Sequence, residues 1–511
     1  MPNRICRFDR AALPFAVALA IALVMRIAFR FDGLYGQDAF AYFQFARAIW
    51  PHLLHGAPLP ALFWPRGYPA AVAALLPLTG GGPLAGQIVS ALAMAGGAAA
   101  TFGLVLELEL ERRRAGEVRK PSAGSEGDPT ARLVAGLCVA ASGVSLRNSQ
   151  VVMSDGLAFG LTAMALWATA RYLRTGRGAW LVPAAVGVAF GAVTRWQIGT
   201  LAVPLGAALL SDRPASDGRS LRRWLWLAAA ATAGAIIVGS QLLIAHDVPR
   251  SFAQHEWLLR WSPLNTLRRS FHTSEGAARY RFPVGVFYGV RLGWPDAFFP
   301  TLALLALAGA WSVWRGRRRA EIALLLGWPL VNWAFISGIP YENPRFLWPA
   351  LPSVAALAGI GFQAWRARMS PRGRAAATGL LAASLAAGLA LGAREHVGHT
   401  VALKNAGLDL VGWIDAQVPP GTTLLQSGGT MMSEYYGRTP IRDIYLLSPD
   451  EIGDLLARAC PCFYLADIPE LEHRMAGLPP QAVFESLRRA PGLTPVAGRP
   501  PYVLFRVGPP R

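Results

Sequence analysis

Long, nearly uncharged runs recur along the chain, and short clusters of arginine separate them. LPFAVALAIALVMRIAF and LWLAAAATAGAIIVGSQLLIA are both long enough to cross a bilayer. A helix needs roughly 20 apolar residues to span the hydrocarbon core. The pattern predicts spans at Ala11–Phe29 and at 83–106, 131–146, 156–171, 179–193, 198–210, 221–245, 297–314, 320–337, 346–365 and 375–393. Gly67–Thr79 is also apolar but falls short of the roughly 17 residues a span requires, so it reads as an interfacial or shallow re-entrant helix. A basic leader, MPNRICRFDR, precedes the first run. No clean small-residue cleavage site follows, and the first run reads as an uncleaved helix.

The arginine clusters set the expected orientation. They fall at 4–10, 112–120, 171–177, 213–223, 315–319 and 366–374, and short basic loops stay on the cytoplasmic side. About eleven crossings then put the N-terminus inside and the C-terminus outside. Three parts lie on the outer face: a loop at 31–82, a second at 246–296, and the segment 394–511. That last segment alternates like a small α/β domain. TTLLQSG, IRDIYLL, CFYLAD and YVLFRV read as strands, and Ser448-Pro449-Asp450-Glu451 is a capping box opening a helix to about Ala459. The expected fold is an all-α polytopic membrane domain, 1–393, followed by an extracytoplasmic α/β domain, 394–511. Gly187-x-x-x-Gly191 permits close helix packing.

Composition agrees: 53% of the residues are hydrophobic and only 15% charged, too apolar for an ordinary soluble protein. A net charge of +19 in a soluble chain would suggest nucleic acid. Here the basic residues lie between apolar runs, where they orient helices, and nucleic acid is not an expected partner. The four cysteines form no disulfide framework; Cys460 and Cys462 are too close in sequence for good disulfide geometry and too few for zinc.

Charged groups gather near the outer ends of the predicted spans. In GLYGQDAFAYFQFARAIW a helix from Asp38 to Trp50 puts Asp38, Tyr42, Phe45 and Ile49 on one apolar face, with Gln37, Gln44 and Arg47 elsewhere. A carboxylate there either caps the helix or points into a site. Asp155 opens a span, where capping is the plain reading. His246, Asp247, His255 and Glu256 lie in the second loop, and Glu342 and Arg345 lie in the tip GIPYENPRF. The second loop also carries Arg250, Arg260, Arg268, Arg269, Arg279, Arg281 and Arg291, interleaved with aromatics. Anionic lipid head groups or a lipid-linked phosphate would balance them.

Several short motifs occur in a telling order. Gln37-Asp38-Ala39-Phe40-Ala41-Tyr42 opens the first loop, and Pro65-Arg66-Gly67-Tyr68-Pro69 heads the short apolar segment. Gly191-Ala192-Val193-Thr194-Arg195 and Tyr341-Glu342-Asn343-Pro344-Arg345-Phe346-Leu347-Trp348-Pro349 follow. From about Leu13 to Ala393 the chain resembles the GT-C superfamily of polytopic glycosyltransferases, in the branch with protein O-mannosyltransferase-like and aminoarabinose-transferase-like enzymes. The resemblance implies an extracytoplasmic site, a polyprenyl-phosphate sugar donor with a lipid, glycan or protein acceptor, and an essential first-loop acid, which Asp38 matches; the Ala- and Arg-rich composition fits a cell (inner) membrane. Relatives often carry a second acid next to it, where this chain has Ala39, and that departure weakens the inference to a metal and to the acceptor.

On this reading Asp38 is the general base that takes the proton of the acceptor hydroxyl. Tyr42 lines the cleft. The departing lipid phosphate needs fixed cations, of which Arg345 is the first choice, then Arg66 and Arg195. Asp155 positions the acceptor or, with Asp38, holds a divalent ion such as Mg or Mn, and Glu342 joins the substrate-binding set. His255-Glu256 is a weaker addition to such an ion. The rival readings are a lipid-linked-sugar transporter or flippase, a polysaccharide polymerase or ligase, and a non-catalytic scaffold. Transporters place ionisable groups near the midplane, often in repeated halves, and neither feature is evident here.

Overall fold

The computed structural model describes residues 5–114, 128–211, 219–244, 255, 257, 259–294, 298–459, 462–489 and 492–508. His246, Asp247, Arg250, Glu256 and Cys460 lie outside the described residues.

The apolar runs fold as a helical bundle, and the chain is a multi-pass membrane protein. Among the described residues five helices are long and apolar enough to cross a membrane: Ala11–Phe29, Leu84–Arg114, Arg319–Ser337, Pro344–Arg366 and Pro371–Gln417. Thr130–Ala141 and Gly143–Gln150 form a sixth if they are one span bent by 56°. Shorter apolar helices include Gly67–Thr79, Gly178–Thr194 and Trp196–Ser211. The bend was not evident from composition. It falls at Ser142, whose extended backbone interrupts the helix while its side chain caps the next one by accepting from Ser145 N at 3.3 Å.

Small residues let these helices approach closely. A Cβ on Gly361 would lie 2.0 Å from Leu305 O, and one on Gly309 would lie 1.9 Å from Leu357 O, so the two helices meet backbone to backbone. Gly187 likewise faces Leu161 O, where a Cβ would stand at 2.8 Å. Buried ion pairs tie the basic helix ends together. Glu107 binds Arg171 at 3.1 Å and also Arg174, and Arg112 Nε donates to both Glu321 oxygens at 2.9 and 3.0 Å.

The loop at 31–82, expected on the outer face, contains the helix Gly36–His55, with Ala39, Phe40, Tyr42, Phe43, Phe45 and Ala46 buried. The second contains an antiparallel hairpin, β1 (Ser270–Thr273) and β2 (Gly276–Arg279), that the sequence pattern did not signal. Its strands have only four residues each and no sustained alternation. Arg268, Arg269, Arg279 and Arg281 are exposed around it.

Helix Pro371–Gln417 leads into the C-terminal sheet. Its strands are β3 (Leu424–Gln426), β4 (Ile441–Asp443), β5 (Cys462–Asp467), β6 (Leu493–Arg499) and β7 (Tyr502–Val507), in the order β4-β3-β5-β7-β6. β3 runs parallel to β4 and β5, whereas β7 pairs antiparallel with β5 and β6. Four strands match the expected segments. β6 is the addition: an edge strand broken by a register shift between Pro495 and Ala497, with a largely exposed surface. The capping box forms, with Ser448 N donating to Glu451 Oε2 at 2.9 Å and Glu451 N to Ser448 Oγ at 3.3 Å. Cys138 and Cys462 are buried free thiols.

Candidate active site

Four charged side chains converge from helix starts and helix breaks, where the backbone turns inward. Asp38 occupies the first turn of Gly36–His55. Gly36, at φ 73°, takes the left-handed conformation that starts this helix from the loop. Asp38 Oδ1 accepts from Trp64 Nε1 at 2.8 Å, and Oδ2 accepts from Arg345 Nη1 and Nη2 at 3.3 and 3.2 Å. Arg345 is carried by the 3₁₀ segment Pro344–Ala350. Asn343 caps that segment, its Oδ1 accepting from Arg345 N at 3.1 Å. The guanidinium also lies 4.0 Å from Asp155 Oδ2, on the first turn of Ser154–Thr175.

Asp155 Oδ1 is held by Arg195, whose extended backbone separates helix Leu181–Thr194 from the 3₁₀ segment Trp196–Leu201. Arg195 Nε donates to Gln197 Oε1 at 3.2 Å, and its guanidinium stands 5.2 Å from the Phe346 ring centroid. The result is an alternating row: Trp64, Asp38, Arg345, Asp155, Arg195, Gln197. Asp155 is almost fully enclosed, its side chain 2% exposed, and acts as the fixed negative centre between two arginines rather than as a helix cap.

The row forms one wall of a cavity with about 580 Å³ of empty space, part of it open to the outside. Trp64, Trp196, Trp257, Phe335, Ile339 and Phe346 make the apolar wall. Tyr42 also lines it, donating to Ser154 Oγ at 3.2 Å, and burial pushes its hydroxyl pKa up. A lining that mixes charged and aromatic side chains suits an amphipathic substrate with an anionic group and a sugar ring.

Five residues singled out from the sequence therefore line the same space: Asp38, Tyr42, Asp155, Arg195 and Arg345. Two do not. Arg66 is half-buried outside the lining, its guanidinium 5.2 Å from the Phe45 ring centroid. Glu342 also lies outside it, with a buried Oε1 that has no hydrogen bond, and burial raises its carboxyl to about 7. His255 stacks on Phe63 with ring centroids 4.2 Å apart. The sequence reading missed Trp64, Gln197 and Trp257. Trp64 directly precedes the Pro-Arg-Gly motif and Gln197 lies two residues after Arg195, so proximity to a motif was the available signal.

A protein-family scan and a search of curated proteins find no match. Among solved structures, ArnT from Cupriavidus metallidurans bound to undecaprenyl phosphate is 18% identical with a TM-score of 0.62, covering 97% of this chain and 98% of that one. ArnT in the apo state is 16% identical with a TM-score of 0.58, covering 96% and 97%. The chain shares the fold of ArnT. The likeness extends over both the helical bundle and the C-terminal α/β part, beyond the stretch from about Leu13 to Ala393 that the sequence motifs marked.

The donor set does not by itself make a metal centre. Among the described residues no group of three His, Cys, Asp or Glu side chains is arranged to hold an ion. Arg345 also stands between the two candidate carboxylates, so a divalent cation bridging Asp38 and Asp155 would have to displace a guanidinium.

Proposed function

We propose that this protein is a membrane glycosyltransferase that moves a sugar from a polyprenyl-phosphate donor to an acceptor hydroxyl outside the cytoplasm. The observation that carries the reading is the row Asp38–Arg345–Asp155–Arg195 along a half-aromatic cavity, within a fold shared with a protein solved with undecaprenyl phosphate bound. The acceptor oxygen attacks the anomeric carbon, the bond from that carbon to the phosphate oxygen breaks, and the polyprenyl phosphate leaves with the electron pair. Asp38 accepts the acceptor's proton. Arg345, with Arg195 behind it, neutralises the charge growing on the phosphate.

The geometry adds an order to these events. Asp38 Oδ2 is held by the Arg345 fork. A donor phosphate competes for the same fork and, on binding, draws Arg345 away, leaving that oxygen free to take a proton. Asp155 keeps Arg195 and Arg345 aligned, and Tyr42 with the tryptophans shapes the sugar and lipid cleft. Residues 1–393 form the catalytic membrane domain and 394–511 an extracytoplasmic domain covering it, with the N-terminus cytoplasmic and the whole in a cell inner membrane. Membranes containing the protein should transfer label from a radiolabelled polyprenyl-phosphate sugar to an endogenous acceptor. No transfer from any of a panel of such donors would contradict the assignment.

A further inference from the structure

The hairpin β1–β2 carries a charge that the cavity does not use. From Leu259 to Trp294 the chain holds six arginines and one acid, Glu275, whose carboxylate accepts from Trp257 Nε1 at 2.8 Å. Four of the arginines, Arg268, Arg269, Arg279 and Arg281, are exposed, and among the described residues none of the four is paired with a carboxylate. The backbone gathers them at the open end of the hairpin. Tyr280 N donates to Arg269 O at 2.7 Å, Val284 N donates to Arg268 O at 3.1 Å, and Ser270 stands opposite Arg279 in the antiparallel register.

Three hydrogen bonds hold this segment against the end of a membrane span. Trp261 Nε1 donates to Phe335 O at 2.7 Å, Asn265 Nδ2 to Gly338 O at 2.8 Å, and Trp333 Nε1 to Gly285 O at 2.9 Å. Trp333 and Phe335 belong to the span Arg319–Ser337, near the end opposite the arginine cluster at 315–319, and Gly338 follows it. The segment therefore lies where hydrocarbon gives way to head groups. There Leu264 and Leu267 are 62% and 77% exposed, just ahead of Arg268 and Arg269 in the chain. Exposed leucines beside unpaired arginines suit neither water nor hydrocarbon alone. A bilayer surface satisfies both, because the apolar groups enter the acyl region while the guanidinium forks grip phosphate. The cavity adjoins this contact, for Trp257 and Ile339 both line it.

We propose that the open end of this hairpin binds anionic phospholipid in the leaflet on the cavity side of the membrane. Arg268, Arg269, Arg279 and Arg281 hold the phosphate head groups, and Leu264 and Leu267 anchor the turn before them in the acyl layer. Charge complementarity selects the occupant. A zwitterionic head group brings its own cation, whereas an anionic one leaves its phosphate charge to the arginines. The surface acts independently of the transfer reaction.

The test uses the purified full chain in neutral detergent, titrated separately with phosphatidylglycerol, phosphatidylcholine and dextran sulfate. Affinity is measured, together with the unfolding temperature in the absence of lipid. Each arginine near an anionic membrane surface contributes about fivefold to binding. Arg268→Gln/Arg269→Gln and Arg279→Gln/Arg281→Gln should each lose about tenfold or more in affinity for phosphatidylglycerol. Their lipid-free unfolding temperature should match wild type, because these side chains are exposed. Either pair carries the test if the other does not fold. Leu264→Ser/Leu267→Ser should also bind the lipid more weakly. Arg368→Gln/Arg372→Gln, which removes two exposed arginines where the spans Pro344–Arg366 and Pro371–Gln417 meet, should bind it like wild type. Wild-type affinity in the hairpin variants, or an equal loss in Arg368→Gln/Arg372→Gln, would overturn the site. Phosphatidylcholine binding as tightly as phosphatidylglycerol would overturn it too. Dextran sulfate displacing the lipid from wild type, with full lipid affinity in the leucine variant, would assign the arginines to a soluble polyanion instead.

Discussion

Replacing Arg345 by lysine keeps the charge and removes the fork. In the structure Arg345 gives two N–H groups to Asp38 Oδ2, at 3.2 and 3.3 Å, and lies 4.0 Å from Asp155 Oδ2. A lysine ammonium can make one such contact well but cannot span both carboxylates or grip a phosphate bidentately. Alanine is the poorer probe. It would leave Asp155, 2% exposed, with only one cation, and breaking a buried pair costs about 3–5 kcal/mol, enough to confuse binding with folding. For lysine the loss is about one charge-assisted hydrogen bond, roughly 1.5–3 kcal/mol. At about 1.4 kcal/mol per tenfold, that is roughly 10- to 100-fold in use of the lipid donor. Steady-state transfer with varied polyprenyl-phosphate sugar should show kcat/KM reduced by this factor, with the unfolding temperature close to wild type. Wild-type kcat/KM in folded Arg345→Lys would refute the placement of Arg345 on the phosphate and make Arg195 the next residue to test.

Three further outcomes follow from other parts of the molecule. Burial raises the Glu342 carboxyl to about 7 from the ordinary 4.5, so the folded state holds this proton more tightly than the unfolded one; its contribution is fully present below pH 4.5 and lost as pH rises through 7. Thermal unfolding at pH 5 and pH 8 should therefore differ less in Glu342→Gln than in wild type, and an unchanged difference would remove Glu342 as its source. Gly361→Ala puts a Cβ 2.0 Å from Leu305 O, so it should lower stability by about 1–3 kcal/mol or more, read as a drop in unfolding temperature; an unchanged temperature would contradict the backbone contact. Reporter fusions after Lys120 and after Gln417 should report the cytoplasm and the exterior respectively, and the same side for both would break the proposed orientation.

The helical bundle was legible because apolar length and arginine clusters are local signals. So were β5 and β7, whose apolar runs carry their own evidence, and the capping box at Ser448. The break at Ser142 was hidden inside an apolar stretch, because one serine in a run of small residues changes composition little while redirecting the helix by 56°. β6 was hidden for the opposite reason: an exposed edge strand with a proline has little hydrophobic pattern to read. In the candidate site, motif order brought out Asp38 and Arg345, which meet across 307 positions of sequence. That they bind each other was not readable, since no local pattern encodes a contact at that separation. Arg66, a basic residue in a conspicuous motif, lies over the Phe45 ring and outside the cavity lining, a placement its motif did not signal.

The most direct test of the central claim is sugar transfer by Asp38→Asn. Asn is nearly isosteric, but its one amide oxygen can accept from Trp64 or from the Arg345 fork and not from both, so some stability is lost while the partly exposed site still folds; an amide cannot take a proton from an acceptor hydroxyl at neutral pH. The account predicts a variant that inserts and folds, still binds undecaprenyl phosphate, and transfers sugar about 10²–10⁴ times more slowly. Near-normal turnover in that variant would contradict Asp38 as the catalytic base.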